Sequence, residues 1–194
     1  MELPRSRTAR LHLLHPGSVG ERVTSTVSLV VDGDHRIVVD PGMVASPAAI
    51  LDPLADVGLG PGDVTDVVLS HHHPDHTLHA GLFPEARVHD HWAIYHRDRW
   101  TTRPADGFEV SPSVRLLATP GHTPQDVTTL VGTVEGLYAL THLWWFEGGP
   151  ERDPFATDQA ALESWRRALV GVVDVVVPGH GAPFPLDTLD GASG

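Results

Sequence analysis

The stretch Leu69-Ser70-His71-His72-His73-Pro74-Asp75-His76 constrains this chain more than any other. It follows the apolar run Val67-Val68-Leu69, which reads as a short buried strand, and Pro74 disfavours helical backbone at the residue before it. Side chains alternate along an extended segment, so His71 and His73 point to one side while His72 points away, to pack or hydrogen-bond elsewhere. Asp75 and His76 lie just past the turn and can reach back to the same place. Three imidazoles and a carboxylate in the pattern His-x-His-x-Asp-His suit zinc or iron; calcium and magnesium prefer oxygen ligands. A histidine-rich surface loop or a tag needs no metal. A tag, however, sits at a terminus and does not follow a buried strand.

The rest of the chain repeats one device. Val38-Val39-Asp40-Pro41-Gly42, Leu117-Ala118-Thr119-Pro120-Gly121-His122 and Val176-Val177-Pro178-Gly179-His180 each run from an apolar strand into a Pro-Gly turn beside an Asp or a His. Proline ends the ladder and glycine permits the sharp turn, so a polar side chain is presented at a strand mouth. If these mouths share a sheet edge with the end of Leu69, then Asp40, His71, His73, Asp75, His76, His122 and His180 meet. A lone histidine is most often a turn residue, and His12, His15, His35, His79, His89, His91 and His96 are read that way.

Composition narrows the chemistry. The 194 residues, 41% of them hydrophobic, predict one globular domain over 1–194 with enough chain to bury a core. There is no cysteine, so a transition metal must be held by His, Asp or Glu. No apolar run is long enough to predict a membrane span, and no apolar leader segment follows the polar stretch Met1 to Arg10. The expected compartment is the cytoplasm. The net charge of −12 argues against nucleic acid as the main partner, because phosphate contacts need clustered basic residues. A small-molecule substrate is expected instead.

Strands are expected at Leu11–Leu14, Thr24–Val31 and Arg36–Asp40 (a hairpin about Asp32-Gly33-Asp34), Asp66–Leu69, Ala86–Val88, Val114–Ala118, Val127–Val131, Leu137–Leu140 and Asp174–Val177. Ser46-Pro47 predicts a helix start, with Ile50, Leu51 and Leu54 inward and Pro53 kinking or shortening it. Asp90 predicts a capped helix to about Arg97. Thr157 or Asp158 predicts another, with Leu162, Trp165 and Leu169 inward. Arg99 to Pro112 and Gly148 to Pro154 read as loops, and the tail from Leu186 as frayed.

On these motifs the chain resembles the metallo-β-lactamase superfamily, from the hairpin before Asp40 through Pro178-Gly179-His180. It resembles more closely the metallo-β-lactamase-domain-containing protein 1 group, in Ala118-Thr119-Pro120-Gly121-His122 and in Asp174 through Gly181. The resemblance implies an α/β fold: a four-layer αββα sandwich of two mixed β-sheets flanked by helices, with a metal site along one edge. It makes His71, His73 and His122 one site and Asp75, His76 and His180 a second, with Asp40 orienting ligands. The family carries Gly-Asp between the third and last histidines, and that Asp bridges two metals; here the residues are Thr141-His142. A carboxylate can join two cations and cancels a charge, whereas a neutral imidazole offers one lone pair. His142 is therefore expected either to ligate one metal alone or to have turned away, leaving the second site weaker or empty.

The resemblance further implies hydrolysis by a zinc-activated water, with one or two Zn(II) per chain, or iron or manganese in their place. Asp75 would orient that water or accept its proton besides ligating. A thioester or other acyl ester is the expected substrate. Phosphodiester or RNA cleavage and a non-catalytic metal-binding role are the alternatives. Trp144, Trp145 and Phe146 either wall the pocket or belong to the core.

Overall fold

A computed structural model describes residues 1–186. The first sheet comprises β1 (Arg10–His15), β2 (Val27–Asp32), β3 (His35–Val39), β4 (Asp66–Val68), β5 (Arg87–His89), β6 (Ala93–His96) and β7 (Arg99–Thr102), in that spatial order. The second holds β8 (Glu109–Ser111), β9 (Val114–Ala118), β10 (Val127–Thr133), β11 (Gly136–Thr141), β12 (Val175–Pro178) and β13 (Phe184–Pro185), ordered β13-β12-β11-β10-β9-β8. Both sheets are mixed: β3, β4 and β5 run parallel, as do β11 and β12, and the other pairs are antiparallel. The helices are α1 (Ala48–Asp56), the single turn α2 (Pro74–Thr77) and α3 (Gln159–Leu169). None of the described helices is long and apolar enough to cross a membrane.

The layering follows from strands that are apolar on both faces. Val30, Ile37, Val39 and Val68 of the first sheet pack against Leu116, Val127, Val131, Leu140 and Val177 of the second, forming the inner core. Their strand neighbours Leu29, Val38 and Val67 face outward against Ile50 and Leu54 of α1. On the opposite side Leu117, Leu130, Ala139 and Val176 face outward against Leu162 and Leu169 of α3. Helix, sheet, sheet and helix thus stack in the expected four layers. The Asp158 carboxylate caps α3 by accepting from the Ala161 N–H at 2.9 Å.

Three local expectations are corrected. No helix runs from Asp90 to Arg97: β6 and β7 form a hairpin there, with Ile94 opposite Thr101 and Tyr95 opposite Trp100. Asp90 does act as a cap, but for a turn, since its Oδ1 accepts from the N–H groups of Trp92 and Ala93, both at 2.8 Å. The β-branched and aromatic residues then continue as strand. The stretch Arg99 to Pro112, read as loop, contains β7 and β8. Leu186 is not frayed; it is buried, and its N–H donates to the Asp174 carbonyl at 3.1 Å. The remainder of the expected tail lies outside the described residues.

Pairing directions bring the strand mouths together. Val39 lies opposite Val68 in the parallel β3–β4 pair, so Asp40 and the 70–76 segment leave the sheet at one edge. Thr141 lies opposite Pro178, so His142 and His180 also emerge side by side. The two sheets are laced at this edge by Val127 N–H donating to the Ser70 carbonyl at 2.7 Å and Thr26 N–H to the Gly179 carbonyl at 2.8 Å.

Candidate metal centre

His71, His73, Asp75, His76, His122, His142 and His180 all meet at this edge. Nδ1 of His73 lies 3.0 Å from Nε2 of His71 and 3.1 Å from Nε2 of His122. Ligands at about 2.0–2.1 Å from a tetrahedral zinc sit about 3.3 Å from one another, so these three nitrogens are close to that spacing. Asp75 Oδ2 lies 3.4 Å from His76 Nε2 and 3.6 Å from His180 Nε2, which makes a second group.

Four of the rings are held from behind. His76 Nδ1 donates to Asp40 Oδ2 at 2.9 Å, His122 Nδ1 to Asp153 Oδ2 at 2.7 Å, and His180 Nδ1 to the Thr24 carbonyl at 3.0 Å. These acceptors have no proton to give, so Nδ1 carries the hydrogen and Nε2 turns a bare lone pair into the site. His71 Nδ1 pairs at 3.0 Å with Ser70 Oγ, a hydroxyl that is able to accept its proton. Nε2 of His76 is buried and makes no hydrogen bond, an arrangement that costs free energy unless a cation takes the lone pair. The residues present therefore fit a transition metal.

His142 has not turned away. Its ring centroid is 4.6 Å from that of His71 and 4.2 Å from His122 on one side, and 4.8 Å from His76 and 5.1 Å from His180 on the other. Nε2 approaches His180 Nε2 at 3.1 Å, while Nδ1 is buried without a hydrogen-bond partner. Room for the ring comes from Gly179, where a Cβ would lie 2.5 Å from His142 Cδ2.

Burial, reinforced by neighbouring imidazoles, holds the His71 and His142 protonation equilibria well below the ordinary histidine value of 6.5. Burial likewise lowers His73 and His180. These four rings are neutral at pH 7, so protons do not compete with a metal for their lone pairs.

Backbone geometry supports the arrangement. Asp40 occupies the left-handed region at φ 52°, which Asp tolerates better than most residues, and its Oδ1 accepts from the Ser70 N–H at 2.7 Å. At Gly42 a Cβ would fall 1.6 Å from the Asp75 carbonyl oxygen, so only glycine lets these segments touch.

A cavity of about 430 Å³ opens above the centre. Its floor includes His73, Asp75, His122, His142 and His180, and its walls are Val19, Val23, Met43, Trp145 and Phe155. No arginine or lysine lines it among the described residues. Trp145 stacks on Phe155 with centroids 5.8 Å apart and planes 8° from parallel. Of the three consecutive aromatics only Trp145 walls the pocket. Trp144 is core, packed with Leu143 and Phe184, and Phe146 is 40% exposed.

His72 points away as expected, with Nε2 3.1 Å from Asp90 Oδ2 and its ring beside Trp92. The turn assignment of the lone histidines is corrected for His12, His15, His35, His89 and His96, which lie in strands. A single histidine carries no turn signal among strand-forming neighbours. His89 is buried and bonds Asp66, which also takes two contacts from Arg87, away from the centre. Sequence reasoning missed Asp153. It lies in an irregular loop, and only its fully buried carboxylate, seen in three dimensions, marks it.

Fold and centre together define a metallo-hydrolase class of two-sheet sandwich. The sequence profile of the metallo-beta-lactamase superfamily matches residues 20–144. A Xenopus laevis protein called metallo-beta-lactamase domain-containing protein 1 is 33% identical over 80% of this chain and 70% of its own length. The human protein of that name is 37% identical, over 76% of this chain and 59% of its own. The chain belongs to the metallo-beta-lactamase superfamily. Among solved structures it is similar in fold to an N-acyl homoserine lactone hydrolase with N-hexanoyl-L-homoserine bound at its catalytic metal centre. That TM-score is 0.67, with 19% identity over 92% of this chain and 94% of the other. It is also similar to a protein solved in a di-iron-bound form, with TM-score 0.68 and 22% identity over 92% and 97% of the two chains.

Proposed function

We propose that this protein is a zinc-dependent hydrolase of a small acyl ester or thioester. The carrying observation is the pocket: apolar walls without a cationic side chain, set over a floor of imidazoles and one carboxylate. Bound there, the metal supplies a Lewis acid and brings the pKa of water from 15.7 down to about 7. His71, His73 and His122 would hold it, with Asp75, His76, His180 and His142 forming the adjoining group. Four or more neutral imidazoles favour zinc, and iron is the next choice.

The chain's own groups account for the remaining steps. Asp75 sits at the pocket edge with its side chain 18% exposed, so it can orient the attacking water and accept its proton. Trp145, Phe155 and Met43 receive the apolar part of the acyl substrate and exclude bulk water from the reacting carbonyl. A phosphodiester fits less well, since no arginine or lysine lines the pocket and the net charge is −12. The lactone hydrolase fold neighbour acts on a cyclic ester, which agrees with an acyl substrate by analogy of fold.

The test is a turnover screen of protein reconstituted with zinc, iron or manganese against thioesters, esters, lactones, β-lactams and phosphodiesters. The expected result is turnover in the acyl classes, lost to a chelator and restored by zinc. Background rates in every class with all three metals would replace this reading with a non-catalytic metal-binding protein.

A further inference from the structure

The loop between β11 and α3 carries a carboxylate that no strand or helix presents. The Asp153 side chain is completely buried. Its Oδ2 accepts from His122 Nδ1 at 2.7 Å and from Trp145 Nε1 at 3.1 Å, and its Oδ1 accepts from the Phe155 N–H at 2.8 Å. The Asp153 N–H donates to Gln159 Oε1 at 3.1 Å, which anchors the loop to the first turn of α3.

Three donors thus converge on one acceptor-only group, and each leads somewhere different. His122 is in the three-imidazole group, while Trp145 and Phe155 form the stacked wall of the pocket. We infer that Asp153 is a positioning residue that sets the His122 tautomer for metal ligation and, through the same carboxylate, seats the Trp145–Phe155 wall against the substrate. This rests on the metal-hydrolase reading of the site.

The chemistry is specific to a carboxylate. An amide has one acceptor oxygen and one donor nitrogen, so Asn at this position cannot accept from all three donors. If its NH2 faced His122, Nδ1 would have to accept, and the ring proton would move to Nε2. That proton would point at His73 Nδ1, 3.1 Å away, and no lone pair would remain for a metal. If its oxygen faced His122 and Trp145 instead, its NH2 would oppose the Phe155 N–H, and the wall would shift. Indole N–H is donor only, so Trp145 has no alternative way to use an amide nitrogen.

The experiment compares wild type with Asp153→Asn, Asp153→Glu and Trp145→Phe. Zinc affinity is read by chelator competition, and the His122 tautomer by nitrogen–proton NMR of the metal-free protein. In wild type His122 is expected as the Nδ1–H form. Asp153→Asn should lose roughly 10- to 100-fold in zinc affinity, with the proton moved to Nε2 or the aromatic wall displaced. Asp153→Glu, which keeps the acceptors, should retain the Nδ1–H form. Trp145→Phe should leave zinc affinity at the wild-type value while raising KM for an acyl ester, separating the two arms.

Wild-type His122 found as the Nε2–H form would overturn the inference, and that measurement needs no variant to fold. So would a folded Asp153→Asn with wild-type zinc affinity and KM. Failure of wild type to bind zinc would instead defeat the metal-hydrolase reading, while the tautomer would still report on Asp153.

Discussion

The Asp40 carboxylate meets Nδ1 of His76 at 2.9 Å while its other oxygen takes the buried N–H of Ser70 at 2.7 Å. One side chain therefore aims an imidazole and ties down the start of the histidine segment. Asp40→Ala should lower metal affinity roughly 10- to 100-fold and destabilise the metal-free protein by about 1–3 kcal/mol, because the Ser70 N–H is left unsatisfied. Asp40→Asn tolerates the left-handed backbone and keeps an oxygen for Ser70, so it should recover most of the stability. Urea unfolding and chelator competition check both. An alanine variant that binds metal like wild type would remove Asp40 from the centre.

The resemblance to the superfamily assigns a bridging carboxylate to the position where His142 is expected to stand. Wild type should hold one metal tightly and release a second on dialysis, and His142→Asp should hold two. Without metal, His142→Asp should be the less stable protein at pH 8, by about 1–3 kcal/mol, since a carboxylate loses its hydration among neutral rings. Elemental analysis after dialysis, with melting curves, measures both effects. Two tight metals in wild type and no more in the variant would contradict the expectation.

The metal-free protein should lose stability as pH falls below about 6.5 and stay level above it. His71, His142 and His89 have folded pKa values lowered chiefly by burial, so the unfolded chain takes protons first as pH drops through 6.5. Asp126 opposes this: burial pushes its carboxyl up to about 6, so its contribution grows as pH falls. His73 and His180, also lowered by burial, act in the same sense, so the lowered histidines outnumber the one raised carboxylate and fix the net sign. Unfolding midpoints from about pH 5 to 8.5 report it, and a profile flat through that range would contradict the burial argument.

Phe155 is 68% exposed yet stacks on Trp145 at the pocket mouth. Phe155→Ala should change stability by no more than about 0.5 kcal/mol. It should raise KM for an acyl ester roughly 5-fold with kcat little changed, as expected for contact made equally to bound substrate and transition state. Steady-state kinetics across an ester series provides the check.

Gly42→Ala should be among the most damaging small changes. The added carbon would meet the Asp75 carbonyl oxygen at 1.6 Å and His76 Cα at 2.6 Å, both backbone, so the histidine segment must move. A loss of about 3 kcal/mol, with loss of metal binding, is expected from melting and titration.

Much of the centre was legible because each strand mouth is written locally: an apolar run and a Pro-Gly turn with a polar residue beside it, Asp40 before the turn and His122 and His180 after it. The four layers were an implication of the family resemblance; what builds them is strands apolar on both faces, such as Val38-Val39 and Val176-Val177. The hairpin at Ala93–Thr102 was misread because the Asp90 signal caps turns and helices alike. His142 was left between two orientations, since the space for its ring depends on Gly179, in the turn that follows β12. Trp144, Trp145 and Phe146 diverge because the chain leaves β11 there and strict alternation ends. Asp153 was invisible because its partners are assembled only by folding.

The candidate ligands come from both sheets, four from the first and three from the second. His71, His73, Asp75 and His76 leave the first sheet, and His122, His142 and His180 leave the second. An ion gripped by both sets is a cross-link between distant parts of a chain that has no cysteine to make one. It closes a loop from His71 to His122, and closing that loop limits the freedom of the unfolded chain much as a disulfide does. A chelator would then act on this protein as a reductant acts on a secreted one.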